Sequence, residues 1–442
     1  MFLEKEGKLI YSYDGETVCI EAWGKDALRV RATKNRSFTG RDWALEAKDA
    51  HAGEVEIFED PSAKGGAFAN MYEGTDTSYG KITNGKLHAV IDSGSVITFY
   101  HEDGRVLLKE HFRRLRDEES MPLNIMGREY SNGVGDNFRI VARFVARKGE
   151  KIFGMGQYQQ HELDLKGCML ELAQRNSQVS VPFYLSSIGY GFLWNNPGVG
   201  QVMFANNGTE WVTESGKEID YLVIAGDTPA EIEENYMTLT GKPPMMPEYG
   251  MGFWQCKLRY WNQEQLLSVA RKYKELGVPL DVIVVDFFHW TKQGEFKFDP
   301  KYWPDVPGMC RELKEMGIQV VVSVWPTVDI YSENFEEMKE KGYLVRTEHG
   351  VPLTMLCGGN EVFFDATNPD ARTYVWEKIK KNYYDQGAKL FWLDVAEPEY
   401  SVYDFKNYRY QLGSVQEVGN IYPKYYLKAF YDGMTAEGDT MP

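Results

Sequence analysis

Two aspartates each end an apolar segment, a placement that could supply chemistry at the edge of a sheet. Asp286 closes the segment DVIVVD at 281–286, and Asp394 closes the segment LFWLD at 390–394. A carboxylate at the end of a buried strand costs desolvation free energy unless another group pairs with it or uses it. For either aspartate alone, capping of the loop or helix that follows is the competing interpretation.

Three tryptophans, Trp290, Trp325 and Trp392, lie near these segments. An aspartate nucleophile, a second carboxylate that binds hydroxyl groups and indole faces that pack on sugar C–H groups would together form a glycosidase site. Packing in a core or in the interior layers of a barrel is the alternative for each tryptophan. Glu397 follows Asp394 closely, and it either orients its neighbours or simply lies on the loop.

The second half of the chain alternates apolar segments with amphipathic ones. The pattern predicts helices after Asn262 and at 307–316, 332–341 and 369–384, and strands at 251–256, 280–285, 318–325 and 389–393. Such alternation is typical of a parallel sheet covered by helices. In a barrel of this kind the chemistry lies where the strands end. Four strand–helix units predict about the first half of a (β/α)8 barrel.

The first half of the chain contains short apolar or β-branched runs between turn signals. The pattern predicts strands at 8–13, 17–23, 27–32, 96–100, 105–109, 138–147 and 179–185. Many short strands with few helical patterns favour an antiparallel β-sandwich. A helix that begins at Thr228 and a proline-rich connector follow. We therefore predict a fold of class α/β plus all-β, with a β-sandwich at 1–240, a linker at 241–248 and the barrel half at 249–442.

Composition narrows the classes of partner. The chain has 442 residues and a net charge of −16, which argues against a nucleic-acid partner because phosphate binding needs a basic surface. No stretch approaches the roughly 18 uninterrupted apolar residues of a membrane span. The five scattered cysteines lack a CxxC pair, which favours free thiols and predicts a cytoplasmic protein. The seven histidines have no ligand spacing, so no metal site is predicted.

Several motifs in order resemble glycoside hydrolase family 31. The segment FWLDVAEPE at 391–399 is similar to the family's nucleophile signature, a Trp-x-Asp-x-x-Glu pattern. The resemblance extends over both halves of the chain, through FGMGQ at 153–157, GYGFLWNN at 189–196, GFWQCK at 252–257 and SVWP at 323–326.

The resemblance implies a β-sandwich joined to a catalytic barrel, and retaining exo-hydrolysis of α-linked sugars without a cofactor. It implies that Asp394 is the nucleophile and that Asp286 binds hydroxyl groups of the terminal sugar. It further implies that Trp325 and Trp392 line that subsite. His289 and Trp290, in the loop after Asp286, are predicted substrate contacts. Glu397 is predicted to orient its neighbours around the nucleophile without contacting the substrate itself.

Within the family, the segments at 255–260, 323–326 and 396–398 are most similar to bacterial α-xylosidases. The expected partner is therefore an oligosaccharide or a small α-glycoside. An α-glucosidase of the same family is the nearest alternative, because the sequence does not show what fills the space of the glucose hydroxymethyl group. A non-catalytic sugar-binding relative, and an unrelated barrel enzyme that uses Asp286 and Asp394 as an acid/base pair, stay open.

The resemblance also implies an acid/base aspartate and a substrate-binding arginine some tens of residues beyond the nucleophile. It continues through 413–420 and 430–434, and the sequence stops at Pro442. A retaining enzyme needs its second carboxyl about 5–5.5 Å from the nucleophile. We therefore expect the acid/base residue to lie beyond Pro442, and the 442-residue polypeptide alone to hydrolyse natural glycosides poorly. Unpaired sheet edges could drive homo-oligomer formation.

Overall fold

The computed structural model describes residues 1–46, 49–59, 78–111, 113–115, 123–348, 360–398 and 405–440. The chain forms two compact units. The first comprises Met1–Ala173 and Ser177–Pro243, and the second comprises Gln174–Asn176 and Pro244–Pro442. The domain limits expected from the sequence, 1–240, 241–248 and 249–442, stay a prediction.

The first unit is built from antiparallel strands. Within the described residues these are β1 (Phe2–Lys5), β2 (Lys8–Tyr13), β3 (Glu16–Trp23), β4 (Ala27–Thr33), β5 (Ala50–His51), β6 (Glu54–Glu59), β7 (Ser78–Asn84), β8 (Leu87–Ile91), β9 (Ile97–His101), β10 (Val106–Lys109), β11 (Arg113–Leu115), β12 (Leu123–Ile125), β13 (Arg128–Asn132), β14 (Phe138–Phe144), β15 (Ile152–Gln157), β16 (Met169–Leu172), β17 (Val179–Ser186), β18 (Tyr190–Trp194), β19 (Gly200–Ala205), β20 (Gly208–Gly216) and β21 (Ile219–Ala225).

These strands form three larger sheets that share a core. One sheet has the order β1-β2-β3-β4-β21-β18-β17-β15 with β5 beside β3, the second β10-β9-β8-β7-β6, and the third β13-β14-β20-β19-β16. Trp194 of β18 and Trp211 of β20 are fully buried, and their rings stack at 5.5 Å between the first and third sheets. Aromatic side chains bury large apolar areas, so this contact stabilises the sandwich. The sandwich-like architecture predicted from the sequence is confirmed.

The second unit contains a parallel sheet with the order β22-β23-β24-β28, covered by helices. Its strands are β22 (Trp254–Gln255), β23 (Val282–Val285), β24 (Gln319–Val324), β25 (Thr327–Asp329), β26 (Arg346–Thr347), β27 (Glu361–Phe363), β28 (Leu390–Leu393) and β29 (Tyr408–Arg409). Strands β25 and β27 form one antiparallel pair, and β26 and β29 another. The chain's α-helices are α1 (Pro229–Thr240), in the first unit, and α2 (Gln263–Glu275), α3 (Val306–Glu315), α4 (Phe335–Glu340), α5 (Pro369–Asn382), α6 (Val415–Val418) and α7 (Tyr422–Ala436).

The sequence signals explain most of these elements. Strand β23 is buried along its whole length, as expected of a parallel strand covered on both faces. Helix α2 begins after Asn262, whose side chain accepts a hydrogen bond from the Gln265 backbone N–H, and Asn368 caps α5 in the same way. The strand predicted at 251–256 is shorter than expected. A 3₁₀ turn at Glu248–Met251 precedes it, and only Trp254–Gln255 pairs with β23.

Two further expectations concern thiols and membranes. Cys19, Cys168, Cys256 and Cys310 are free thiols, and Cys357 lies outside the described residues. Among the helices that the structure describes, none combines the length and the apolar character needed to cross a membrane.

Candidate active site

Asp394 lies directly beyond β28, at the carboxyl edge of the parallel sheet. Its Oδ2 atom accepts a hydrogen bond from the Trp325 indole Nε1 at 3.1 Å, and its Oδ1 atom accepts one from the Val395 backbone N–H at 2.9 Å. Trp325 follows the neighbouring strand β24, so the parallel pairing of β24 with β28 brings donor and acceptor together. Each carboxylate oxygen keeps a further lone pair after these bonds.

A tyrosine from α7 supports this strand end. The Tyr426 hydroxyl donates a hydrogen bond to the Val324 carbonyl oxygen at 2.8 Å, and the Asp394 backbone N–H donates to the same carbonyl at 3.1 Å. Burial raises the pKa of Tyr426 well above its usual value, and the negative charge of Asp394 adds to the effect. The phenol therefore stays neutral and fixes the backbone just before Trp325.

Asp286 lies directly beyond β23, one strand further along the same sheet edge. Its Oδ1 atom accepts a hydrogen bond from the Phe287 backbone N–H at 2.8 Å, and its Oδ2 atom accepts one from the Cys256 thiol at 3.4 Å. Burial, together with the Asp286 charge, raises the pKa of Cys256 to about 11. The thiol therefore stays protonated and donates to the carboxylate.

His289 lies in the loop after Asp286, and it is only 3% exposed, so its ring is buried within the protein. Its Nδ1 atom is 3.0 Å from the Asp286 carbonyl oxygen, and its Nε2 atom is 2.8 Å from the Tyr383 hydroxyl. A carbonyl only accepts, so Nδ1 carries the hydrogen and Nε2 accepts from Tyr383. Burial lowers the pKa of His289 to about 4, which keeps the ring neutral. Both ring nitrogens are thus engaged by the protein.

The predicted tryptophans have unequal surroundings. The Trp325 ring lies 4.7 Å from the Phe287 ring and 6.1 Å from the Trp290 ring, so these three aromatic side chains form a continuous wall beside Asp394. Trp392 lies within β28, where it pairs with Ser323 of β24, and it is 52% exposed. Glu397 is half-buried in the loop after Asp394.

The backbone is strained just after both aspartates. Val395 follows Asp394 with a φ of 56°, and Phe288, two residues after Asp286, has a φ of 66°. Bulky and β-branched side chains rarely adopt this left-handed region, and such strain concentrates at functional sites. The two sheet-edge aspartates thus share an unusual local geometry.

A cavity of about 360 Å³ is lined by Lys257, Leu258, Arg259, Trp261 and Phe288, the last of which lies two residues after Asp286. The Arg259 guanidinium lies 4.1 Å from the centre of the Trp261 ring and 5.1 Å from that of Phe288. It also donates a hydrogen bond to the Phe288 carbonyl oxygen at 3.2 Å. Trp261 is 61% exposed, so this cavity presents an aromatic and cationic surface to solvent.

The structure thus brings Asp286, Trp290, Trp325 and Asp394 to one edge of the sheet, whereas Trp392 lies within β28 and the His289 ring is buried. Sequence reasoning did not identify the roles of Cys256, Tyr426 and Tyr383, which contact the site through hydrogen bonds. Cys256 is the last residue of the strand predicted at 251–256, so its position at a strand end could have pointed to it. The two tyrosines lie on or just after helices far along the chain, where no local pattern points to the sheet edge.

Comparison with known proteins finds similar chains. Residues 243–441 match the family described as "Glycosyl hydrolases family 31 TIM-barrel domain". The chain is 45% identical over 448 residues to "Uncharacterized family 31 glucosidase ORF2" of Pseudescherichia vulneris, a match that covers 99% of this chain and 81% of that protein. It is 30% identical over 460 residues to alpha-xylosidase A of Aspergillus niger, covering 96% of this chain and 60% of that protein.

A solved structure is also similar. The crystal structure of a GH31 alpha-xylosidase from a soil metagenome, complexed with xylose, superposes with a TM-score of 0.92 at 50% identity. The match covers 100% of this chain and 64% of that one. The chain therefore spans less than two thirds of both this structure and the Aspergillus relative.

Proposed function

The chain belongs to glycoside hydrolase family 31, and on that premise we propose that it carries the nucleophile and sugar-binding half of a retaining, exo-acting α-glycosidase. The substrate we propose is a terminal α-xyloside, hydrolysed through a covalent glycosyl-aspartate intermediate. The xyloside preference is supported by the 50% identity to a structure described as an alpha-xylosidase complexed with xylose.

The observation that carries this proposal is the pair of hydrogen bonds on Asp394. The indole N–H of Trp325 and the backbone N–H of Val395 each bind one carboxylate oxygen, at 3.1 and 2.9 Å. Two fixed donors hold a carboxylate in one orientation at the end of a barrel strand, where substrates bind. In the proposed first step an Asp394 oxygen bonds to the anomeric carbon while the bond to the leaving oxygen breaks. Water then hydrolyses the ester.

Asp286 is proposed to bind hydroxyl groups of the terminal sugar. Its carboxylate accepts from Cys256 and Phe287, and it retains lone pairs for further donors. The wall formed by Phe287, Trp290 and Trp325 would pack on the C–H face of the ring. We assign His289 to holding the Asp286 carbonyl rather than to substrate contact, because the protein itself engages both ring nitrogens.

The leaving group is proposed to lie over the cavity lined by Arg259 and Trp261. Two of its lining residues are close in sequence to the Asp286 contacts: Lys257 follows Cys256, whose thiol donates to Asp286, and Phe288 lies two residues after Asp286. Exposed aromatic faces beside guanidinium donors suit a ring that carries hydroxyl groups.

An α-glucoside is the second candidate substrate. The relative that matches at 45% identity is described as a glucosidase, and alpha-glucosidase 2 of Bacillus thermoamyloliquefaciens is 32% identical over 189 residues. Rates on matched aryl α-xyloside and aryl α-glucoside pairs, measured with a chain extended by the sequence of a family relative, would separate the two.

We also propose that the 442-residue polypeptide alone turns natural glycosides over slowly. The leaving oxygen of an unactivated glycoside needs a proton from a second carboxyl about 5–5.5 Å from the nucleophile. The polar contacts made by the Asp394 carboxylate within the described residues come from an indole and a backbone N–H, neither of which is an acid.

An activated fluoro-sugar tests the proposal, because its fluoride leaves without a proton. We expect 5-fluoro-α-xylosyl fluoride to add one sugar mass to the protein, and peptide mapping to locate it on Asp394. Asp394→Asn should abolish the adduct. Asp432→Asn, which changes an exposed aspartate of α7 paired with Lys428, should leave it unchanged. An adduct on a peptide without Asp394 would refute the assignment.

A further inference from the structure

The cavity at the ends of β22 and β23 is positively charged. Its lining residues, Lys257, Leu258, Arg259, Trp261 and Phe288, are all cationic, aromatic or aliphatic. They come from the loops that follow β22 and β23, which are neighbours in the parallel sheet. The chain as a whole contains 65 acidic residues against 49 basic ones. Two cations that line one cavity are therefore unusual for this protein.

These two cations differ from other cations of the chain in their partners. Arg29 contacts the Asp220 carboxylate at 2.6 Å, and Arg271 contacts the Glu312 carboxylate at 2.5 Å. Among the residues that the structure describes, no carboxylate forms an ion pair with either cation of the cavity. Their charge is therefore available to a ligand.

Asp286 is the acidic residue nearest to the cavity along the chain, since it lies two residues before Phe288. Its carboxylate accepts hydrogen bonds from the Cys256 thiol and from the Phe287 backbone N–H. Within the described part of the chain, it forms no ion pair with the cavity cations. The charge of Asp286 is thus stabilised by its own donors, and the cations are left to the cavity.

Arg259 is held in place before any ligand binds. Its guanidinium lies 4.1 Å from the centre of the Trp261 ring, and its Nη1 atom donates to the Phe288 carbonyl oxygen at 3.2 Å. A guanidinium has five N–H donors in a planar fork, so donors remain for a carboxylate or a phosphate. A cation fixed by aromatic rings loses less conformational freedom on binding. Trp261 is 61% exposed, so it also offers a face to a ring.

We propose that this cavity selects a leaving group that carries an anionic group, a carboxylate or a phosphate, on its ring. Arg259 and Lys257 bind the anion, and Trp261 packs on the face of the ring. The assignment to the leaving group rests on the function proposed above. The preference for an anion rests separately on the charge of the lining residues and on their contacts within the described chain.

Binding of small sugars to the 442-residue chain tests the charge preference without catalysis. Saturation-transfer NMR titrations compare methyl β-glucuronoside with methyl β-glucoside, which differ only at carbon 6, and glucose 6-phosphate with glucose. At low ionic strength we expect at least one anionic sugar to bind about tenfold more tightly than its neutral counterpart, because charge-assisted hydrogen bonds are the stronger ones. In about 0.5 M NaCl this preference should fall to about twofold, since salt screens exposed charges.

Three variants locate the preference. Arg259→Gln should remove most of it, and Lys257→Gln should reduce it about twofold, because a lysine binds as a single point charge. Lys274→Gln is the matched control, since it removes one positive charge from an exposed position of α2 outside the cavity, and it should leave the preference unchanged. Equal binding of both anionic sugars and their neutral counterparts by the unmodified chain would overturn the proposal. Equal losses in Arg259→Gln and Lys274→Gln would also overturn it.

A matched pair of aryl α-xylosides tests the assignment to the leaving group. 4-Nitrophenyl α-xyloside and its 3-carboxy derivative both release a nitrophenolate, which leaves without a proton. We expect kcat/KM to be about tenfold higher for the carboxy derivative, and about equal for the two substrates in Arg259→Gln. Equal kcat/KM values in the unmodified chain would refute the leaving-group role.

Failure of this inference and failure of the proposed function are distinguishable. A chain that prefers anionic sugars through Arg259, but forms no fluoro-sugar adduct and releases no nitrophenolate, would refute the proposed function and leave the anion site standing. An adduct on Asp394 in a chain that binds anionic and neutral sugars equally would refute the anion site and leave the proposed function standing.

Discussion

Replacing His289 with glutamine should change how the stability of the protein depends on pH. The folded protein keeps this ring neutral because burial lowers its pKa to about 4, whereas the unfolded chain has an ordinary pKa near 6.5. Between these values the unfolded state binds more protons than the folded state, so stability falls as the pH decreases. Integrated from pH 6.5 down to pH 4, the free energy of unfolding falls by about 3 kcal/mol, and about 2 kcal/mol of this is already lost at pH 5.

The assay compares urea unfolding of the unmodified chain and of His289→Gln at pH 8 and pH 5, followed by tryptophan fluorescence. At pH 8 the variant should be less stable by about 1–2 kcal/mol, because the bonds to Tyr383 and to the Asp286 carbonyl are weakened. At pH 5 that gap should close or reverse, since glutamine does not titrate. Other titrating groups contribute equally to both proteins and cancel in the difference.

His51 provides the matched control, because it is exposed and its ring nitrogens contact, among the residues that the structure describes, the Asp49 carbonyl and the Asn84 side chain. His51→Gln should reproduce the pH dependence of the unmodified chain. If His289→Gln also loses stability between pH 8 and pH 5 by the same amount as the unmodified chain, then His289 is not held neutral by burial, and the reasoning about its tautomer fails.

Two other changes test the strand ends. Trp325→Phe removes the indole donor but keeps a ring against Phe287. Losing one hydrogen bond to the Asp394 carboxylate should raise the activation free energy by about 1.5 kcal/mol and slow fluoro-sugar labelling of Asp394 about tenfold. An unchanged labelling rate would contradict the role given to the 3.1 Å bond. Cys256 should react with iodoacetamide at pH 8 about tenfold more slowly than a free cysteine, because its pKa of about 11 lowers the thiolate fraction more than it raises nucleophilicity. Mass spectrometry of the modified peptide should show that this reaction is faster in Asp286→Asn. Equal rates in the two proteins would mean that the Asp286 carboxylate does not influence the Cys256 thiol.

The elements near the site were predictable where a local pattern determines them. The run at 282–285 is fully apolar, as expected of a strand such as β23 that is covered on both faces. The asparagines before α2 and α5 are N-caps, which predict where these helices begin. Placing Asp286 and Asp394 at one edge then follows from parallel pairing alone. No long-range contact is needed to place these two aspartates, so their positions are predictable from the sequence.

Other features depend on contacts between distant parts of the chain. His289 has the residue type and position of a substrate contact, but its exposure depends on Tyr383, which is 94 positions away. The bond from the Tyr426 hydroxyl to the Val324 carbonyl spans 102 positions. A pattern within one element gives no information on such partners, so burial of His289 and support by Tyr426 could only be seen in the folded chain.

The bond from Tyr426 also means that the site is larger than its reactive groups. Each side chain proposed to touch sugar precedes residue 400, yet the carbonyl just before Trp325 depends on a phenol supplied by α7. A graft of these strand ends onto another scaffold would therefore have to include α7. The same holds for a redesign of the pocket for a different sugar. A design that replaces α7 would keep the side chains proposed to face the sugar but would remove the Tyr426 hydrogen bond that fixes the Val324 carbonyl.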